Sequence, residues 1–294
     1  MKLYRLFFCV LSLMVLVGVS AQSTDITATQ LKGTKGTYAF PPCLSDGRVD
    51  NKKLIQQLKE LHANTYHWLA WGATSDIEAF KKFLPMAKKA KIKVWITLVP
   101  PSESPPLAHD YSEPYRFDFK KWAEEIAKLS LIHSNLVAWS IDDFVHNLKI
   151  FTPEYVGDFL RTANEINPKL SFIPCCYYKQ INAAFVKNYK HLLNGILFPY
   201  RNESISANLK DAGQAKYEIE QLRSLFGGNI SIFIDIYASA HSSLGASTPE
   251  YVRDVLNTGL DYADGVLIYC HQNPVKDPEK YAIIKEGFGK KRIQ

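Results

Sequence analysis

Eight short apolar stretches, each followed by a helix-like segment, leave few folds open to this chain. They run Gly36–Cys43, Asn64–Trp71, Lys93–Val99, Leu136 up to Asp142, Leu170–Tyr177, Ile196–Tyr200, Ser231–Tyr237 and Val266–Cys270. Rich in Val, Ile and aromatic residues and nearly free of charge, they read as strands buried on both faces. The segments between them carry helix-start chemistry. Thr152-Pro153-Glu154 and Thr248-Pro249-Glu250 each offer a capping hydroxyl, a proline at the first helical position and an acid in the first turn. Asp50 and Ser75 are further N-caps, and Gly195, Gly227-Gly228 and Gly265 punctuate later junctions. Strands separated by helices pair in parallel, and eight such units predict a single α/β domain, a (β/α)8 TIM barrel over residues 36–294.

The first 35 residues stand apart. Lys2 and Arg5, the apolar run Leu6–Val17 and the small-residue site Val19-Ser20-Ala21 read as a cleavable signal peptide over residues 1–21, with a polar leader at 22–35. The expectation is a secreted or periplasmic protein. The apolar run is short for a bilayer span and no second one follows, so stable membrane insertion is not expected. A formal net charge of +6 without a dense Lys/Arg cluster argues against nucleic acid. Of the cysteines, Cys43 and Cys270 end neighbouring strands and either bridge or pack as small hydrophobes, while the side chains of the adjacent Cys175 and Cys176 should diverge.

In barrels of this kind the chemistry gathers at the C-terminal ends of the strands. The fourth strand ends there in two adjacent carboxylates, Asp142 and Asp143, with His146 and Asn147 just beyond. Ionised carboxylates are costly to bury, and two close together split their proton affinities, leaving one donor beside one anion. Both reach one pocket only if the strand ends at that point, because neighbours on a strand face opposite ways. With His146, the same rim collects Trp71, Glu103, Tyr177, Tyr178, Tyr200, Arg201, Asp235, Tyr237, Tyr269, His271 and Gln272. Flat aromatic faces among polar groups suit sugar rings, so these are the expected substrate contacts for an oligo- or polysaccharide. Glu103 and Asp235 are candidates for a second catalytic carboxylate, or a solvated loop acid and a partner for Arg201. His146, His241 and His271 also follow strand ends, but without close ligand spacing. No metal or other cofactor is therefore expected.

Ile141-Asp142-Asp143-Phe144, together with Phe172-Ile-Pro-Cys-Cys-Tyr-Tyr178 after strand five, resembles the substrate-assisted glycoside hydrolases, the chitinase-like and O-GlcNAcase-like (family 84) group. The resemblance implies that Asp142 orients a substrate acetamide and that Asp143 is the general acid. The resulting expectation is a secreted glycosidase. A barrel that binds glycans without cleaving them, or a metal-dependent hydrolase, are the alternatives.

Overall fold

The structure, a computed structural model, describes residues 30–71, 75–107, 110–270 and 272–290. Eight parallel strands form the barrel: β1 (Thr34–Ala39), β2 (Thr65–Ala70), β3 (Lys93–Leu98), β4 (Leu136–Ile141), β5 (Ser171–Phe172), β6 (Gly195–Pro199), β7 (Ser231–Tyr237) and β8 (Gly265–Tyr269). Each strand pairs with its sequence neighbour, and β1 pairs with β8. The ring closes between β5 and β6, where Cys176 N–H donates to Leu197 O at 2.8 Å and Leu197 N–H to Pro174 O at 3.0 Å. Eight helices follow the strands: α1 (Asn51–Glu60), α2 (Ser75–Lys89), α3 (Phe119–Ile132), α4 (Pro153–Ile166), α5 (Ala183–Tyr189), α6 (Ala215–Phe226), α7 (Pro249–Tyr262) and α8 (Pro278–Gly289). The Thr152 and Thr248 hydroxyls cap α4 and α7, accepting the N–H of Tyr155 and Tyr251 at 3.3 and 3.1 Å.

Two apolar layers hold the barrel together. Inside the ring lie Tyr38, Leu69, Trp95, Val137, Ile173, Phe233 and Leu267. Outside it, the other faces of the strands meet the helices, and here Trp139 is wholly buried, its ring 4.7 Å from Phe172 and 5.4 Å from Phe159. Trp139 is thus core, not a ligand contact. Strands approach closely at Gly265, where a Cβ would come within 2.5 Å of Thr34 Cβ, so only glycine fits the first residue of β8.

The structure differs from the sequence reading where proline or tertiary packing intervenes. β1 stops at Ala39, because Pro41-Pro42 cannot donate to a ladder, and β5 is cut short by Pro174. The barrel also starts earlier than residue 36. Leu31, in the expected leader, is wholly buried in the inner layer, and β1 begins at Thr34. A small hairpin pairs Ala240–His241 with Gly245–Ala246 after β7. The expected signal peptide lies outside the described residues. Among the described residues no helix is long and apolar enough to cross a membrane.

Candidate active site

At the C-terminal mouth of the barrel is a cavity of about 560 Å³, within the range of small-ligand sites. β4 delivers two carboxyls to it. Asp142 continues the pairing of β4, its N–H donating to Leu98 O at 3.0 Å. Asp143 then takes a left-handed backbone (φ 41°, ψ 35°), which ends the strand and turns its side chain into the cavity beside that of Asp142. Asp142 Oδ1 accepts the N–H of Asp143 at 3.0 Å and helps hold that turn.

Glu103 reaches the same place from another strand. It lies in the one-turn helix Pro101–Glu103 after β3. Asn147 ties that turn to β4: its amide donates to Ser102 Oγ (2.8 Å) and to Asp143 O (2.9 Å), and its carbonyl accepts Ser102 N–H (3.1 Å). Glu103 is thereby held in hydrogen-bonding reach of Asp143. Asp143 has two further partners. The Tyr177 hydroxyl donates to Oδ1 at 2.5 Å, and His146 Nδ1 lies 3.2 Å from Oδ2. The Tyr177 ring stacks with His146 (centroids 4.9 Å apart) and carries the Arg201 guanidinium 4.1 Å from its centre.

Protonation splits within this cluster. Burial, the charges of Asp142 and Asp143 and the hydrogen bond to Asp143 push the Glu103 carboxyl up to about 8. Asp143 goes the other way: burial raises it, but the hydrogen bonds from His146 and Tyr177 outweigh that and hold it below the usual carboxylate range. Burial and the charge of Asp143 lift Asp142 to about 6. Burial and Asp142 lift Asp235 well above its ordinary value. At neutral pH the labile proton therefore sits on Glu103 and Asp143 is the anion. The sequence reading gives the donor role to Asp143, whereas these directions favour Glu103.

Trp71, Tyr177, Arg201, Asp235, Tyr237 and Tyr269 also line the cavity. Three expected contacts do not. Pro199 and Arg201 face inward, so Tyr200 between them faces out, fully buried, its hydroxyl donating to Asp211 O at 3.1 Å. Tyr178, next to inward Tyr177, packs against the outer layer. Gln272 is held by Thr37 Oγ1 (2.9 Å) and Phe40 O (3.1 Å) beside a separate pocket of about 230 Å³. His271 lies outside the described residues. His241, placed at the rim with the other histidines, lines the cavity, and the lining residues that the sequence reading does not place there are Tyr38, Cys175, Pro199, Ala240 and Ser242. Tyr38 was legible from strand alternation, whereas Ser242 arrives only through the hairpin.

All four cysteines described are free, so the Cys43–Cys270 pairing is not formed. Cys175 faces the cavity and Cys176 the outer layer, as strand alternation requires. Among the described residues no group of three or more His, Cys, Asp or Glu is placed to hold a metal ion.

The fold is similar to that of several solved glycoside hydrolases. A glucosidase from Croceicoccus marinus superposes over 88% of this chain and 67% of its own, with a TM-score of 0.61 at 9% identity. An exo-beta-1,4-mannosidase from Opitutaceae bacterium strain TAV5 does so over 87% and 58%, with a TM-score of 0.60 at 11% identity. A beta-D-glucuronidase from Dictyoglomus thermophilum does so over 89% and 51%, with a TM-score of 0.58 at 14% identity. The chain spans 51% to 67% of the length of these proteins. No protein-family model matches the sequence, and no curated protein matches it.

Proposed function

We propose that the protein is an exported glycoside hydrolase acting on an oligo- or polysaccharide, with Glu103 as general acid and Asp143 as the anion beside it. The observation that carries this reading is the hydrogen-bonded Glu103–Asp143 pair, whose proton affinities are driven apart at the mouth of the barrel. A carboxyl protonated at neutral pH suits donation to a glycosidic oxygen, and a fixed anion stabilises the positive charge that develops on the sugar ring. The shared barrel fold of the glucosidase, mannosidase and glucuronidase adds support, as does the aromatic rim of Trp71, Tyr177, Tyr237 and Tyr269. The export reading rests on the N-terminal segment Met1–Ala21.

Two carboxyls in direct hydrogen bond cannot flank a sugar, which needs about 5 Å or more between them. Glu103 and Asp143 therefore act from one side. The far side falls to Asp235 on β7, across the ring from β3, or to the substrate's own acetamide, as the strand-four resemblance implies.

A panel of aryl hexosides, uronides and N-acetylhexosaminides tests the proposal, with phenol release as the readout. Turnover of at least one is expected, and an N-acetylhexosaminide cleaved alone would select the substrate-assisted route. Tight binding of glycans with no release from any would leave a binding barrel instead. Given an active substrate, Tyr177→Phe keeps the ring under Arg201 but removes the bond to Asp143. Losing one hydrogen bond to a charged group is worth about 1.5–3 kcal/mol, so the rate should fall by about 10- to 150-fold. Because Tyr177 lowers the pKa of Asp143, the acid limb of the pH profile should move to higher pH; an unmoved limb would count against Asp143 as the working anion.

A further inference from the structure

The wall of the cavity formed by β6 and the hairpin after β7 presents hydrogen-bond donors that face one another without an acceptor. Arg201 is fixed there by its stacking on Tyr177 and its ion pair with the buried Glu203. The oxygens of Glu203 are already engaged, one by Arg201 and the other by the N–H of Lys179 at 3.0 Å. The Nε of Arg201 is buried and has no partner. Its Nη1 lies 3.2 Å from Nε2 of His241.

The tautomer of His241 decides what that last contact is. Backbone N–H of Ser243 points at Nδ1 from 3.1 Å and the Ser243 hydroxyl, which can donate as well, lies at the same distance, which assigns Nδ1 as the accepting nitrogen. Burial and the charge of Arg201 depress the pKa of His241, which keeps the ring neutral with a single proton. That proton must then sit on Nε2, where it faces the N–H of Arg201. Two donors in contact repel, and a group that only accepts would satisfy both.

We infer that the sugar held in this cavity carries a carboxylate, bound between Arg201 and His241. A carboxylate offers two oxygens and no proton, one for Nη1 of Arg201 and one for Nε2 of His241; a sugar hydroxyl would bring a further donor to that wall. The arrangement also orients the substrate. The anions Asp142 and Asp143 repel a carboxylate from the β4 side, so its acid group turns to Arg201 and His241 and its glycosidic oxygen to Glu103. The inference rests on the glycosidase reading for the ligand being a sugar, and it narrows that reading to acidic sugars.

Calorimetric titration of the whole protein with D-glucuronate and D-galacturonate, alongside D-glucose and D-galactose, tests it without requiring turnover. At least one uronate should bind about 10- to 100-fold more tightly than its neutral counterpart, the worth of one charge-assisted hydrogen bond or more. His241→Leu should erase most of that preference, and His241→Gln, whose amide can place an N–H near the position of Nε2, should retain part of it. Equal affinity for acidic and neutral sugars in the wild-type protein overturns the inference whatever the variants do, as does a preference that survives His241→Leu. The two readings fail separately. Uronate selectivity without cleavage of any aryl glycoside would remove the hydrolase and keep the acidic-sugar site, whereas cleavage without uronate selectivity would do the reverse.

Discussion

Glu103→Gln is expected to slow glycoside cleavage by about 10²–10⁴-fold, the usual contribution of a positioned general acid. The glutamine amide can still donate to Asp143, so the Asn147–Ser102 tie and the shape of the cavity should persist. The pH profile identifies the group. In the wild-type protein the rate should fall on the alkaline side near the Glu103 value of about 8, and the residual rate of the variant should lack that limb. Asp143→Asn removes one of the charges that raise Glu103, so in that protein the limb should move to lower pH. Stability carries a second signature. Native Glu103 keeps its proton to about 8, whereas the unfolded chain loses it near 4.5. Its contribution is therefore intact below 4.5 and lost as pH rises towards 8. The glutamine variant does not titrate, so its thermal midpoint should match wild type near pH 4 and exceed it near pH 8. Wild-type turnover by Glu103→Gln across the whole pH range would remove Glu103 from the mechanism.

Trp95→Ala is expected to lower the unfolding free energy by about 3–5 kcal/mol, the scale for deleting a large aromatic from a core. Trp95 fills the inside of the ring, wholly buried, with its ring perpendicular to Phe233 at 4.9 Å and tilted against His67 at 5.5 Å. His67 in turn stacks at 4.3 Å on Tyr38, which lines the cavity, so the indole supports the floor of the site. Burial depresses His67 to about 3, which leaves a neutral ring and no charge for the apolar interior to carry. Urea unfolding measures the loss. A change below about 1 kcal/mol would mean that the inner layer collapses to refill the space, because the cost of such a deletion depends on how far the surroundings relax. The weakened floor should also lower activity, through looser placement of Asp142 above Tyr38.

The rim was readable from the chain because it follows from local rules. A run such as Lys93-Val-Trp-Ile-Thr-Leu98 states its own strand, and Pro100-Pro101 states its end. Thr152-Pro153-Glu154 states the start of α4, and its hydroxyl caps the helix as expected. Once eight such units alternate, the barrel and the end that carries polar residues follow. Asp142, Asp143, Glu103 and Asp235 are thus assigned to one mouth by the order of the chain, and all four line the cavity there.

Sequence by itself determined the order of strands and helices, the caps and the side of the barrel that gathers carboxyls and aromatic rings, because these depend on propensity and periodicity along the chain. Tertiary structure alone decided which side chains meet and which of them keeps a proton. Tyr177 and Tyr178 are neighbours in sequence, yet one holds Asp143 and the other packs outside. Tyr200 turned away for the same reason: strand phase at the very end of β6 depends on where pairing stops, and that is a property of the neighbouring strands. Proton affinity is higher at Glu103 than at Asp143 because it follows burial and through-space charge. Glu103 comes from another strand, brought beside Asp143 by an asparagine 45 residues from Ser102.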